Sequence, residues 1–166
     1  LAGALIPYLA KIGCTVIFEP GRVIVGNAGV LITQVLYTKS TTEKNFVIVD
    51  AGMNDLIRSS LYGSYQAILP VITKDRQDSP CTVDVVGPIC ESGDFLAKDR
   101  SLPVCLPGDL LAVMSAGAYG FSMASNYNAR PKVAEILVKN DQYYIIRERE
   151  TYEDLIRGET VPPFLH

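Results

Sequence analysis

Short apolar segments separated by turn-forming residues dominate this 166-residue chain and restrict its fold more than any other feature. Turn sequences such as Leu106–Asp109 and Lys139–Gln142 lie between these segments. Many short strands with few helices favour an antiparallel β-barrel or sandwich. Tyr152–Arg157 predicts a short closing helix, which Gly158 would end. The segments rich in Val, Ile, Leu and aromatic residues predict strands over residues 30–37, 46–49, 66–69, 82–86, 110–114, 133–138 and 143–146.

The first 27 residues follow a different pattern. Leu1, Leu5, Tyr8 or Leu9, and Ile12 recur at helical spacing. Thr15–Phe18 is a continuous apolar run, which predicts a buried strand. A helix followed by such a strand is typical of α/β barrels. We therefore predict a mainly β chain: the last helix–strand unit of a TIM-like (β/α)8 barrel over residues 1–27, then a C-terminal β-domain over 28–166. Because the chain also opens without Met, we expect it to be a fragment.

Charge and histidine content argue against several classes of function. Fifteen Lys and Arg against eighteen Asp and Glu leave no basic excess for a nucleic acid or an anionic membrane. The single histidine, His166, argues against a zinc site and against a catalytic triad, so no metal is predicted. Residues 110–129 carry no charge and could span a bilayer by length, but their Ser and Asn side chains would lie unpaired there. No membrane span is predicted.

Two candidate binding segments contain arginine. In Glu19–Arg22, Gly21 allows the backbone to approach a phosphate and Arg22 could pair with an anion, although a plain turn explains the same residues. Arg58 and Tyr62 are four residues apart and would share one helical face. An arginine with a phenol suits a carboxylate, whereas simple stacking at the surface is the alternative.

Two further segments combine loop residues with reactive or small side chains. Cys90 and Glu91 lie in a loop framed by Gly and Pro, where a thiol could donate a proton beside a carboxylate that binds a cation. A buried structural cysteine is the alternative, and we interpret Cys14, Cys81 and Cys105 as core or incidental. The segment around Tyr119 has small residues and amides without charge, which suits either a site wall or a tight core turn.

Taken in this order and spacing, the four segments resemble the C-terminal part of the bacterial diaminopimelate decarboxylases. These are pyridoxal-phosphate enzymes of the family with an alanine-racemase-like barrel, which includes ornithine and arginine decarboxylases. The motifs that carry the resemblance are FEPGR, DAGMNDLIRSSLY, GPICESGD and PGDLLAVMSAGAYGFSMASNYNARP. Together they extend over nearly the whole chain.

The resemblance implies a set of residues that hold pyridoxal 5′-phosphate. Glu19 would pair with the pyridinium nitrogen, which keeps the ring an effective electron sink. The backbone of Gly21 and Arg22 would help to hold the phosphate. Tyr119 would contact both the phosphate and the substrate.

The resemblance also implies a substrate site and an acid. The side chains of Arg22, Arg58 and Tyr62 would receive substrate carboxylate, and Glu91 would bind the amino group at its far end. Cys90 would be the general acid that protonates the α-carbon after carbon dioxide leaves. Cys90 and Glu91 would reach across a homodimer interface into the partner's cofactor site.

The implied reaction is the decarboxylation of meso-2,6-diaminopimelate to L-lysine and carbon dioxide, the last step of lysine biosynthesis, in the cytoplasm. Glu91 after Cys90 favours this substrate, because ornithine decarboxylases have Asp there; an arginine- or ornithine-type decarboxylase is the alternative. The second alternative is a non-catalytic module that only dimerises or binds a partner. The chain departs from the family at Ser59, where Pro is usual. The family's Schiff-base lysine lies upstream, so this chain alone is expected to be inactive.

Overall fold

A computed structural model describes residues 2–73 and 79–165 and shows a mainly β chain. The helices are α1 (Ala2–Leu9), α2 (Arg58–Tyr62) and α3 (Tyr152–Leu155), with 3-10 turns at Gly26–Ala28, Phe121–Met123, Tyr127–Ala129 and Pro163–Leu165. The strands are β1 (Leu31–Ser40), β2 (Asn45–Val49), β3 (Ile68–Pro70), β4 (Cys81–Val86), β5 (Phe95–Leu102), β6 (Leu110–Val113), β7 (Glu135–Lys139) and β8 (Gln142–Arg147).

The strands form one six-stranded sheet and one hairpin. The order in the large sheet is β3-β6-β1-β2-β4-β5, and β7 pairs with β8. Every neighbouring pair is antiparallel except β2 and β4, which run parallel. The prediction of a mainly β domain is confirmed, but the prediction of a purely antiparallel sheet is wrong. A parallel pair requires a crossover connection, and here the crossover carries α2 and β3.

Strand β1 joins the two halves of the large sheet. Its first residues, Leu31–Gln34, pair with β6, and its later residues pair with β2. The Asp50 carboxylate fixes this change of partner, because it accepts hydrogen bonds from the Thr33 hydroxyl at 2.6 Å and from the Gln34 N–H at 2.8 Å. Asp50 directly follows β2, so the segment that leads to α2 is attached to the centre of the sheet.

The hydrophobic core lies against this sheet and extends to the segment before α2. Each fully buried Val or Leu side chain contributes about 1.5–3 kcal/mol to folding. Leu56 is completely buried although it lies in a loop, so the core holds the start of α2 in place. The other core residues include Val35, Val47, Val49, Ile68, Val83, Val85, Leu96, Leu111 and Val113.

The predicted strands of the β-domain are confirmed, with ends shifted by a few residues, and one strand was missed. Strand β5 was not predicted because the polar run Lys98–Ser101 interrupts its apolar pattern. Asp99 has a left-handed φ of 51°, and the pairing of β5 with β4 is irregular beside it. The closing helix is confirmed as α3, whose first turn has a capping box between Thr151 and Asp154.

The predicted strand at Thr15–Phe18 is wrong for this structure. The segment has no regular secondary structure, and Ile17 is 84% exposed. A strand needs a neighbour to satisfy its N–H and C=O groups, and no strand in the described part of the chain pairs with this segment. The helix before it is confirmed as α1. None of the helices among residues 2–73 and 79–165 has the length and apolar character needed to cross a bilayer.

An ion-pair cluster links the turn before β2 to β4 and β5. Lys44 Nζ lies 2.8 Å from Asp84 Oδ2 and 3.4 Å from Asp99 Oδ1, and the Asp99 N–H donates to Asp84 Oδ1 at 2.7 Å. Burial raises the pKa of the Asp84 carboxyl, but the hydrogen bonds from Lys44 and Asp99 outweigh burial, so this pKa is lowered. Asp84 is thus held in its charged form.

We expect Lys44→Met to destabilise the fold in a pH-dependent way. Because the folded-state pKa of Asp84 lies below its ordinary value of 3.8, the stabilisation is present above that pH and is lost as the pH falls through the folded-state pKa. Urea unfolding at several pH values should therefore show a deficit for Lys44→Met near neutrality that shrinks on acidification. Lys39→Met, on the exposed part of β1, is the control. A deficit that does not change with pH would contradict this assignment.

Candidate active site

Two arginines and two tyrosines from three separate segments converge on one side of the fold. The Arg58 guanidinium carbon lies 4.9 Å from the centre of the Tyr62 ring and 5.3 Å from that of Tyr119. The Arg22 guanidinium carbon lies 6.0 Å from the centre of the Tyr119 ring. We call these four residues the arginine cluster. The predicted pairing of Arg58 and Tyr62 on one helical face is confirmed by α2.

Neither arginine of the cluster forms an ion pair with an acidic side chain in the described part of the chain, and Arg58 also has an unsatisfied donor. Its Nε is buried and has no hydrogen-bond partner within the described residues. A buried donor left without an acceptor costs about 1–3 kcal/mol, so the site gains when an anion supplies one. A planar guanidinium flanked by aromatic rings suits a carboxylate or phosphate oxygen.

The turn at Gly21 brings free backbone N–H groups to the cluster. A Cβ on residue 21 would lie only 2.8 Å from the Tyr119 hydroxyl oxygen, so glycine allows that close approach. The N–H groups of Gly21 and Arg22 donate to no acceptor in the described part of the chain. Free amides beside an arginine and a phenol form a cradle of the kind that binds anions. Glu19 precedes this turn and is exposed.

A close backbone crossing holds Tyr119 against that turn. The Gly117 N–H donates to Gly26 O at 3.1 Å, and the Ala116 N–H donates to Gly29 O at 2.9 Å. A Cβ on Gly117 would lie 2.1 Å from the carbonyl oxygen of Val25, so no larger residue fits. The loop after β6 is therefore fastened to the segment that follows Arg22.

Cys90 and Glu91 lie in the loop between β4 and β5, and both are exposed. The Tyr127 hydroxyl donates to Glu91 Oε2 at 3.3 Å, and the Gly93 N–H donates to Glu91 Oε1 at 3.2 Å. The negative charge of Glu91 and this hydrogen bond raise the pKa of Tyr127, so its hydroxyl stays protonated and remains a donor near neutral pH. Exposure of Cys90 rules out the alternative of a buried structural cysteine.

The structure brings together some of the predicted site residues and leaves others apart. Gly21 joins the arginine cluster, so the two arginine segments and the Tyr119 segment meet on one side of the fold. No hydrogen bond, ion pair or ring contact connects Cys90 or Glu91 to the cluster within the described ranges. A single copy of the chain therefore presents two separate groups of predicted site residues.

Two residues that the sequence analysis missed support these groups. Tyr127 orients Glu91, as described above. Arg130 attaches its segment to the loop after β2, because its Nε donates to Asn54 Oδ1 at 2.9 Å and its Nη2 donates to Asp50 O at 2.6 Å. Burial raises the pKa of the neighbouring Asp55 carboxyl, against the opposing effects of the Gly52 N–H and Arg130. Arg130 is the first charged residue after the uncharged residues 110–129, and this position in the sequence was the signal that could have identified it.

Comparison with known proteins places this arrangement in a family. Residues 14–117 match the family model described as pyridoxal-dependent decarboxylase, C-terminal sheet domain. The diaminopimelate decarboxylase of Aquifex aeolicus is 53% identical over 156 residues, which are 94% of this chain and 37% of that protein. The chain thus spans little more than a third of the length of that relative.

Solved structures agree with this match. The crystal structure of diaminopimelate decarboxylase from Helicobacter pylori complexed with L-lysine aligns with a TM-score of 0.81 at 49% identity, over 94% of this chain and 38% of that one. The arginine decarboxylase of Paramecium bursaria Chlorella virus shares the fold. It is 20% identical and aligns with a TM-score of 0.61, over 67% of this chain and 30% of that one.

Gly117→Ala should destabilise the protein and loosen the Tyr119 loop. The added methyl group would meet the carbonyl oxygen of Val25, and relieving such overpacking costs about 1–3 kcal/mol. Urea denaturation measures the loss. Gly3→Ala is the matched control, because a Cβ on Gly3 would meet nothing within 4 Å. A Gly117→Ala protein within about 0.5 kcal/mol of the unchanged one would contradict the close crossing.

Proposed function

This chain belongs to the family of pyridoxal-dependent decarboxylases with a C-terminal sheet domain, and we propose that it is the C-terminal part of an enzyme that decarboxylates meso-2,6-diaminopimelate to L-lysine. In this proposal residues 1–27 end a preceding barrel domain and residues 28–166 form the β-domain. The observation that carries the proposal is the arginine cluster, in which two guanidinium groups and two tyrosines lie beside the free N–H groups of the Gly21 turn, an arrangement that suits anionic groups.

The residues of the chain fit the pyridoxal phosphate that the family implies. The free N–H groups of Gly21 and Arg22 and the nearby Tyr119 hydroxyl suit its phosphate oxygens. Glu19, at the start of the same turn, is assigned to its ring nitrogen. When bound, the cofactor supplies the electron sink that allows the substrate to lose carbon dioxide.

The arginine cluster accounts for the choice of substrate. Meso-diaminopimelate has one D and one L centre, and the product L-lysine keeps the L centre, so the carboxylate at the far end survives the reaction. We assign Arg58, between Tyr62 and Tyr119, to that carboxylate, and Glu91 to the ammonium group beside it. An arginine- or ornithine-type decarboxylase, the alternative, would bring a cation to this end, and Arg58 would repel it.

Cys90 is assigned as the acid that protonates the α-carbon after carbon dioxide has left. Because Cys90 and Glu91 are exposed and separate from the arginine cluster of their own chain, we propose that a second copy supplies them in a homodimer with shared sites. A non-catalytic binding module, the other alternative, would not need Cys90, Glu91, Arg58 and Tyr119 together. Four free cysteines suit a reducing cytoplasm, where we place the enzyme.

Cys90→Ala in the full-length decarboxylase should lower kcat by orders of magnitude, because general acid catalysis contributes about 10²–10⁴-fold. Cofactor binding, followed by the absorbance of pyridoxal phosphate, should not change. Cys81→Ala, which removes a thiol at the start of β4, is the control and should keep its turnover. Normal turnover of Cys90→Ala would remove this thiol from the proposed mechanism.

Arg58→Ala should raise KM for diaminopimelate about 10- to 100-fold, as expected for a lost hydrogen bond between charged groups. Inhibition by L-lysine, which keeps the far carboxylate, should weaken by a similar factor, whereas inhibition by 1,5-diaminopentane, which has no carboxylate, should not weaken.

Arg100→Ala is the matched control for this experiment. Arg100 also stacks on a tyrosine, with its guanidinium carbon 3.6 Å from the centre of the Tyr65 ring, and its Nε is also buried without a partner in the described chain. Arg100 lies outside the arginine cluster, so Arg100→Ala should leave KM for diaminopimelate unchanged. Equal weakening of L-lysine and 1,5-diaminopentane by Arg58→Ala would refute the assignment of Arg58 to the carboxylate.

A further inference from the structure

The Asp94 carboxylate is buried beneath the loop that carries Cys90. Asp94 is 4% exposed, and no basic side chain in the described part of the chain forms an ion pair with it. Its two oxygens accept backbone hydrogen bonds instead: Oδ2 from the Ile89 N–H at 2.6 Å and Oδ1 from the Met53 N–H at 2.7 Å. A buried carboxylate persists only where such donors stabilise its charge.

Two glycines leave the space that this carboxylate occupies. A Cβ on Gly87 would lie 2.4 Å and 2.6 Å from the two Asp94 oxygens, and a Cβ on Gly52 would lie 3.0 Å from Oδ1. Neither glycine has a left-handed φ. The close approach of the Asp94 carboxylate therefore explains why position 87 is glycine, and it leaves little room for a side chain at position 52.

The backbone around Cys90 is tied to the same residue. The Gly87 N–H donates to Asp94 O at 3.0 Å, and the Asp94 N–H donates to Glu91 O at 3.0 Å. Together with the bond from Ile89 to the carboxylate, these contacts hold the chain on both sides of Cys90.

Asp94 also connects this loop to the segment that leads to α2. Its Oδ1 accepts from Met53, a few residues before the helix that carries Arg58. The Ser60 hydroxyl of α2 donates to Gly93 O, which gives a second link between the helix and the loop. The loop and the helix are thus joined through partly buried hydrogen bonds.

We propose that Asp94 is a positioning residue that fixes Cys90 and Glu91 relative to the helix carrying Arg58. The inference rests on the proposed roles of Cys90 and Glu91. Asp94→Asn tests it closely, because an amide keeps the size of the side chain but has one acceptor oxygen. Its NH2 group must then face one of the two N–H donors, so one hydrogen bond is replaced by a repulsive contact.

The first readout is the reactivity of the thiols in the cofactor-free full-length protein. Iodoacetamide labelling, followed by peptide mass spectrometry, should change in rate at least twofold at Cys90 in Asp94→Asn, because the thiol is no longer held in one position beside Glu91. Labelling of the half-buried Cys81 should not change, and the buried Cys105 should stay protected as long as the fold is intact. These two thiols serve as internal controls for reagent and folding.

The second readout is turnover with diaminopimelate. Asp94→Asn should lower kcat at least tenfold with a smaller change in KM, because the acid is misplaced while the arginine cluster is retained. If Asp94→Asn fails to fold, Gly87→Ala displaces the carboxylate without removing it and should give the same two changes.

Unchanged Cys90 labelling together with unchanged kcat would overturn the inference. An unchanged full-length protein that does not decarboxylate diaminopimelate would instead refute the proposed function, and the labelling rates would still show whether Asp94 controls the loop.

Discussion

The backbone crossing between Gly29 and Gly117 is the contact on which the candidate site depends. Only two facing glycines allow the loop after β6 to lie this close to the segment that follows Arg22. That proximity places Tyr119 beside Gly21, where its ring also faces Arg58 on α2. The buried core and the crossover between β2 and β4 hold α2 from the other side. The anion site is therefore a consequence of how the sheet is connected, and no single segment forms it alone.

The site divides into two groups with different physical characters. The arginine cluster is half-buried, cationic and lined by tyrosine rings, which suits carboxylate and phosphate groups. The loop with Cys90 and Glu91 is exposed at its tip but rigid at its base, because the Asp94 carboxylate and its backbone bonds hold it. A rigid loop with an exposed reactive tip is suited to completing a site on another molecule. This division supports the proposal that two copies share each site.

The sequence pattern predicted local features well and long-range ones poorly. Alternating apolar residues identified most strands. Strand β5 (Phe95–Leu102) was not predicted, because its polar half does not face the core. A strand was predicted at Thr15–Phe18, where no neighbouring strand in the described chain is present to pair with it. The parallel β2–β4 pair could not be predicted, since alternation says nothing about strand order. Helical spacing was enough to pair Arg58 with Tyr62. The roles of the other site residues came from the family resemblance. Ser59, the residue that departs from the family pattern, has a buried hydroxyl without a partner among the described residues.

Mixing of inactive subunits tests the shared site most directly. Full-length Cys90→Ala and Glu19→Ala proteins are each expected to be nearly inactive. In a mixed dimer, one site receives both substitutions and the other receives neither, so random exchange of subunits should restore about a quarter of the unchanged activity. If each site were built within one chain, every site in the mixture would carry one substitution. Mixing would then restore nothing, and that result would contradict the account.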